Sequence, residues 1–496
     1  MSFRLPTLSS SWTRASIAPA LIFIATATDQ QYLADFWHHL ARGRAIVTEG
    51  RLVNHDMFTY TVAGRPFQDV NWLSQVCYFA LYERGGLPLV QLVNALALAA
   101  MMALLTWSCR RASGSLGVAS AISVFTFFGL WQVLTIRPQT FSLLLFVLLN
   151  EILRTSEQRG RLLLLPPLLL ALWVNLHGAF PLGLVLIGCH LTAAAIESGR
   201  ARGWRLLRDR RTAALALCLA ASAAATLINP YGWRVYEYVT TTSSAAAARR
   251  IDEWLAPGLD LLIGKVWVFS LVLVLLAFAL SPRRPATRDL CLMLCFLPLA
   301  CGSARMVVWW LLVIAPILAA TIAALPVVRR LSAKPEPPSF ASLVVFGLMA
   351  LMVTFSLPGL ERHNPLLGPS RRAHLRKEGD LTAAAEQVAA RNPAARIFSR
   401  FEWGEFLTWF LGPKFPVFMD GRIEIFPDEV WSEYSSVTVG RAGWQDILDR
   451  YRVDYLLLDA PYHATTGLLP QVERSKEWER AFQAGDAILF VRRNAG

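Results

Sequence analysis

Apolar runs recur along the first three-quarters of this 496-residue chain, and nothing else in it constrains the fold as tightly. Candidate spans fall at 12–28, 87–108, 114–134, 139–153, 162–176, 179–196, 212–229, 264–281, 289–304, 306–326 and 339–358. Several approach the ~20 residues that carry a helix across a bilayer. Backbone in hydrocarbon must satisfy its own hydrogen bonds, so runs of this kind are helical. Hydrophobic residues make up 55% and charged residues 17%, against about 25% charged in a typical soluble domain. The sequence predicts a polytopic α-helical membrane protein with about eleven transmembrane helices.

Charge sets an orientation. The net charge is +13, but its distribution excludes a nucleic-acid footprint, which needs a basic face on a soluble domain. Before residue 359 there are 30 Lys/Arg against 16 Asp/Glu; from there on the counts are 18 and 19. The excess lies in short loops between alternate spans: Arg110-Arg111, Arg154/Arg159/Arg161, Arg200–Arg211, Arg283/Arg284/Arg288 and Arg329/Arg330/Lys334. All fall on one side if the N-terminus is cytoplasmic, as the positive-inside bias requires. Arg4 and Arg14 stand before the hydrophobic stretch of the first run, whose flanks lack a small-residue cleavage pattern, so that run reads as a retained signal anchor. Eleven spans then leave residues 359–496 outside. All seven cysteines lie before residue 302, and neither a disulfide framework nor a Cys-based zinc site follows.

The opposite side collects polar residues: the 29–86 loop, Arg137-Pro-Gln139, Asn175-Leu-His177-Gly178, Asn229-Pro-Tyr-Gly232, Asp252-Glu253-Trp254 and Arg305. Ionisable groups at span ends are functional candidates, although Arg and Trp there also serve as interfacial anchors. The 29–86 loop should open with an amphipathic helix over 33–49. Asp35, His38 and His39, at i, i+3 and i+4, then share one face. Such a group acts as a general base oriented by imidazole, ligates a divalent metal, or forms the wet face of an interfacial helix. Metal is the least supported, since neither Cys nor a second tight acidic cluster is near. Asp29 ends the first span, Asn54-His55-Asp56 has turn composition, and Asp69 precedes Trp72.

From about 359 to 496 the pattern is that of a soluble α/β domain. A helix is expected over 381–390, strands at 396–399, 417–419, 455–459 and 487–491, and a helix over 401–410. Asp420-Gly-Arg422, at a strand end, is either a turn or an acceptor-binding element. The domain boundaries read from sequence are therefore 1–358, with its large external loop 29–86, and 359–496.

Several of these motifs resemble a family. Asp35-Phe-Trp-His38-His39-Leu-Ala-Arg-Gly43, Asp56-Met-Phe-Thr-Tyr and Asp69-Val-Asn-Trp-Leu are similar to the first external loop of bacterial GT-C-type membrane glycosyltransferase homologues. Those read Asp-x-x-Trp-His-Leu-x-x-Gly, Asp-Pro-Phe-Ser-Tyr and Glu-Trp-Leu. Arg137-Pro-Gln139, Asn175-Leu-His177-Gly178, Asn229-Pro-Tyr-Gly232 and Asp420-Gly-Arg422 extend the likeness over nearly the whole chain. The resemblance implies an enzyme of the bacterial inner membrane that moves a sugar from a polyprenyl-phosphate donor to an envelope acceptor at the outer face. Asp35 is then the catalytic base, with Asp29 the runner-up and Glu253 a further acid. His38, His39, Arg137, Asn175, His177 and Arg305 would bind substrate or phosphate; Asp56, Asp69, Asp420 and Arg422 would serve the acceptor side. No cofactor is expected and a divalent metal is unsupported, because the loop around Arg137 has no carboxylate to partner Asp35. The partners are a lipid donor and membrane lipids. The alternative is a non-catalytic relative, transporter or scaffold in envelope polysaccharide assembly. A transporter should show internal repeats and mid-span charges, and neither is seen.

Overall fold

The computed structural model describes residues 7–28, 35–202, 209–248, 252–332, 338–360, 368–391 and 395–493. The chain divides into two compact units. One is Met1–Asp29 with Leu87–Asn364; the other is Gln30–Gly86 with Pro365–Gly496. The segment expected to be a loop of the membrane domain thus clusters with the C-terminal region, and a cut at 358 alone does not separate the units.

The first unit is helical, and a helix stands over each of the apolar runs. Among the described residues, four helices are long and apolar enough to cross a membrane: Trp72–Ser113, Pro181–Ala201, Leu262–Leu280 and Ala304–Ala323. Leu116–Gly129, Gly160–Leu176 and Phe340–Phe355 are apolar but shorter. The Trp72–Ser113 helix breaks at Gly85 and Gly86. Gly86 takes φ 63°, a left-handed conformation that glycine adopts without steric cost. Ala304–Ala323 is buried along nearly its whole length, with Trp309 against Phe146 at 5.0 Å and Trp310 Nε1 donating to Ser270 Oγ at 2.9 Å. Leu262–Leu280 and Phe340–Phe355 instead expose Leu275 and Leu348 among many apolar side chains. Faces this apolar suit lipid, not water.

The basic loops meet at one end of this unit. Arg111 pairs with Glu151, and Arg154 lies 3.4 Å from Asp289. Arg288 pairs with Glu157, which Arg211 also reaches at 3.0 Å. Clusters that alternate in sequence therefore pack together, as helices running up and down require.

The second unit holds a four-stranded sheet of order β1-β2-β4-β3, from Ile397–Ser399 (β1), Tyr455–Asp459 (β2), Trp478–Ala484 (β3) and Ala487–Arg492 (β4). β1 and β2 are parallel; β2/β4 and β4/β3 are antiparallel. The expected strand at 417–419 is only a bridge: Val417 pairs with Ile397 on one side and Thr59 on the other. Residues 58–60 so extend the edge of the sheet, Val417 N–H donating to Phe58 O at 3.0 Å and Tyr60 N–H to Val417 O at 3.2 Å. Val62 joins Phe398, Phe418, Leu456, Trp478 and Phe490 in the core. The expected first-loop helix runs Phe36–Glu49 and packs on the helix starting at Trp72. A side chain at Gly43 would meet Gln75 O at 2.2 Å, so only glycine permits that approach.

Candidate functional site

In the first unit, three chain segments bring charge to one place. Arg137 sits in the turn that starts Gln139–Ser156, Arg305 in the first turn of Ala304–Ala323, and Glu253 in the short 3-10 turn Asp252–Trp254. The Glu253 carboxylate takes Arg305 Nη1 at 2.7 Å and Arg137 Nη1 at 3.3 Å. Arg305 also reaches Gln139 Oε1 at 3.5 Å and lies 5.1 Å over the Trp254 ring. Backbone contacts hold the turn: Ser303 Oγ donates to Glu253 O at 3.1 Å, and Ala304 N–H to Leu255 O at 2.7 Å. Burial raises the Glu253 carboxyl, but the two guanidinium groups outweigh it and leave the group below its ordinary value. Two cations share one anion, so the cluster carries a residual positive charge suited to a phosphate.

His177 stands just past the Leu165–Leu176 helix. Trp173 Nε1 donates to Ser142 Oγ at 2.6 Å, which leaves the Ser142 hydroxyl proton for His177 Nδ1 at 2.8 Å. Ala179 N–H also points at Nδ1, at 3.4 Å. Nδ1 is therefore an acceptor and Nε2 carries the proton. Burial, then Arg305 and Arg137, push His177 down to about 3. It is a neutral hydrogen-bond donor. Asn175 instead braces the backbone, its Nδ2 donating to Ala171 O and Ile228 O, both at 2.8 Å. That ties its helix to the Asn229 turn, where Asn229 Oδ1 accepts Tyr231 N–H at 2.8 Å.

The second unit places the remaining candidates. Asp35 occupies the N-cap position of Phe36–Glu49, partly exposed and making no side-chain capping bond. His38 and His39 are buried behind it, their rings 4.0 Å apart. His38 Nδ1 lies 3.5 Å from Glu405, and His39 Nδ1 3.3 Å from Gln75 Nε2. Both rings are buried with Nδ1 near Glu405 or Gln75, unlike the exposed helix face expected from the sequence. Asp69, fully buried, receives Arg42 Nε at 3.0 Å and Gln75 Nε2 at 2.8 Å. Arg422 is clamped between Asp420 and Asp56: Nε donates to both Asp420 oxygens at 3.0 Å and Nη2 to Asp56. Asp56 also accepts Thr59 N–H at 3.0 Å and Thr59 Oγ1 at 2.6 Å. Asp56, Asp69, Asp420 and Arg422, expected to serve an acceptor, are thus sealed internal ion pairs. Asp29 lies outside the described residues.

The motifs read from sequence already contain Gln139 and Trp254, which contact Arg305, Trp173, which bonds Ser142, and Phe58, whose ring centroid lies 5.6 Å from the Arg422 guanidinium. Sequence reasoning missed Ser142, which bonds His177, and Phe67, whose ring centroid lies 5.3 Å from the same guanidinium. Only Asp56-x-x-Thr59 carried a readable signal, the spacing of a side-chain-capped turn. Among the described residues, no three or more His, Cys, Asp or Glu side chains are grouped to hold a metal.

No family model matches this sequence, and no curated protein does. Solved structures match over nearly its full length. The oligosaccharyltransferase of Archaeoglobus fulgidus in its apo form is 11% identical at a TM-score of 0.58, covering 98% of this chain and 74% of that one. The same organism's oligosaccharyltransferase AglB, in complex with an inhibitory peptide and a dolichol-phosphate, is 12% identical at a TM-score of 0.57, with 98% and 74% coverage. ArnT from Cupriavidus metallidurans bound to undecaprenyl phosphate is 13% identical at 0.53, covering 98% of this chain and 99% of that one. The chain has the GT-C fold. This is the architecture implied by the loop motifs, and at such identity it is the fold that is shared.

Proposed function

We propose that this GT-C protein is an integral membrane glycosyltransferase that moves a sugar from a polyprenyl-phosphate donor to an envelope acceptor at the extracytoplasmic face. The observation that carries the reading is the Arg137–Glu253–Arg305 cluster with neutral His177, in a fold whose solved examples hold dolichol-phosphate and undecaprenyl phosphate. A phosphate leaving the anomeric carbon takes the bonding electron pair. Two guanidinium groups and the His177 Nε2–H are the donors that stabilise such a charge. The acceptor hydroxyl attacks that carbon and gives its proton to a carboxylate base. Asp35 is the proposed base, because it combines partial exposure with the motif that resembles the family's first loop. In this reading all eleven apolar helices cross the inner membrane, the N-terminus is cytoplasmic and residues 359–496 lie outside.

The test is transfer from radiolabelled polyprenyl-phosphate hexoses in membranes containing the wild type, Asp35→Asn or Arg305→Gln. Wild-type transfer, abolished by Asp35→Asn and weakened in donor affinity by Arg305→Gln, is expected. Equal rates in wild type and Asp35→Asn remove Asp35 from the chemistry; no transfer from any donor favours a non-catalytic GT-C protein. Labelling an engineered cysteine in 359–496 from outside intact cells, with native cysteines replaced, checks the orientation. Protection there inverts it.

A further inference from the structure

The carboxyl ends of the parallel strands β1 and β2 carry a group the proposed reaction does not use. Arg400 follows β1 directly, and Asp459 ends β2. Arg400 donates Nε and Nη2 to the two oxygens of Glu402 at 3.1 and 2.9 Å, and Nη1 to Asp459 Oδ2 at 2.7 Å. Its guanidinium lies 4.4 Å over the Tyr462 ring. All four side chains are partly exposed. Phe401, next in sequence to Arg400, and Trp431 are also partly exposed, their rings tilted by 48° with centroids 5.9 Å apart.

From this geometry we infer an oligosaccharide-binding subsite on the second unit, selective for neutral sugars. The guanidinium has five N–H groups, three of which serve Glu402 and Asp459. Two remain, beside carboxylate oxygens that keep lone pairs. Donors and acceptors so interleaved match vicinal sugar hydroxyls, each of which gives one hydrogen bond and takes another. The aromatic rings offer apolar surface for the C–H face of a pyranose. The position is where open α/β sheets bind ligands, outside the carboxyl ends of strands. Two acids against one base leave the cluster net negative, which disfavours uronates and phosphates. The platform is also fixed from below. His463 is fully buried with Nδ1 at 3.0 Å from the Asp459 backbone, its Nε2 has no partner among the described residues, and burial foremost pushes it down to about 4.

The test uses the full chain in nanodiscs, with triacetylchitotriose, maltotriose, mannotriose and trigalacturonate as probes. Binding is read by saturation-transfer NMR and tryptophan fluorescence. At least one neutral trisaccharide should bind the wild type, and Tyr462→Ala should weaken it about tenfold. Tyr462→Phe keeps the ring and should retain binding, whereas Glu402→Gln should weaken it without unfolding. Binding of none of the neutral probes, preference for trigalacturonate, or binding unchanged in Tyr462→Ala and Glu402→Gln overturns the proposal. Donor hydrolysis in the same samples depends on Asp35 and Arg305, so failure here is distinguishable from failure of the transferase reading.

Discussion

Replacing Arg422 by Met tests whether the Asp56–Arg422–Asp420 group holds the second unit together. Methionine keeps much of the stem volume and removes the charge. Among the described residues, the Asp420 carboxylate then retains one hydrogen bond, from the Arg422 backbone N–H at 3.1 Å, and the Asp56 carboxylate keeps those from Thr59. Both carboxylates are nearly inaccessible, at 4% and 0% exposure, so water cannot replace the lost donor. Removing one partner from a buried ion pair costs about 3–5 kcal/mol. In a unit of about 190 residues each kcal/mol moves the midpoint by about 2–4 °C. A loss of roughly 6–20 °C is expected.

The assay is thermal unfolding of the full chain in detergent at a fixed scan rate, with amide exchange followed in peptides 51–67 and 415–426. The triple variant Asp56→Asn, Asp420→Asn, Arg422→Met leaves no uncompensated charge and should recover at least half the loss. A midpoint for Arg422→Met within about 2 °C of wild type, with exchange unchanged, refutes the structural role and returns Arg422 to the acceptor side.

Three further outcomes are expected. Glu253→Gln frees Arg137 and Arg305 from a partly exposed counter-ion of the kind worth about 0.2–1 kcal/mol per pair, so undecaprenyl phosphate should bind about two- to thirtyfold tighter; weaker binding by thermophoresis contradicts a phosphate site. His463 sits near 4 in the fold against an ordinary value of about 6.5. The unfolded chain therefore takes up a proton that the fold refuses, and the second unit should lose about 3 kcal/mol as pH falls from 6.5 to 4; His463→Gln should flatten that slope in melting curves at pH 7.5 and 4.5. His177, at about 3, stays neutral through the working range. His177→Gln, which keeps an N–H donor, should then retain more donor affinity than His177→Phe, and a KM that rises equally in both would exclude the hydrogen-bond role.

Periodicity and charge were enough to locate the helices and to group Arg111, Arg154, Arg211 and Arg288 at one end, because lipid exposure and loop charge are local signals. The strands β1, β2 and β4 were legible as short apolar runs. Trp478–Ala484 was not, since its burial alternates weakly and it forms an outer edge beside β4. The pairing of residues 58–60 with Val417 was invisible, as partners more than 350 positions apart leave no local pattern. The pairing of Glu253 is non-local in the same way: sequence reads it as a candidate acid or a solvated loop acid, and only folding sets it between two arginines from other segments.

Residues of similar conspicuousness in the sequence divide by access. Asp56, Asp69, Asp420 and Arg422 find charged partners within the second unit and are closed to any incoming hydroxyl. A buried charge needs such a partner to be tolerated at all. Arg137, Glu253 and Arg305 keep 24%, 34% and 21% of their side-chain surface, and His177 and Asp35 are also partly exposed. A base must be reached by its substrate, and a phosphate-binding arginine by its phosphate. The two adjacent histidines satisfy neither condition, since they face Glu405 and Gln75. They are buried in the first turn of the helix that follows Asp35, and substitution of either should act through the placement of that carboxylate and not through loss of a proton carrier.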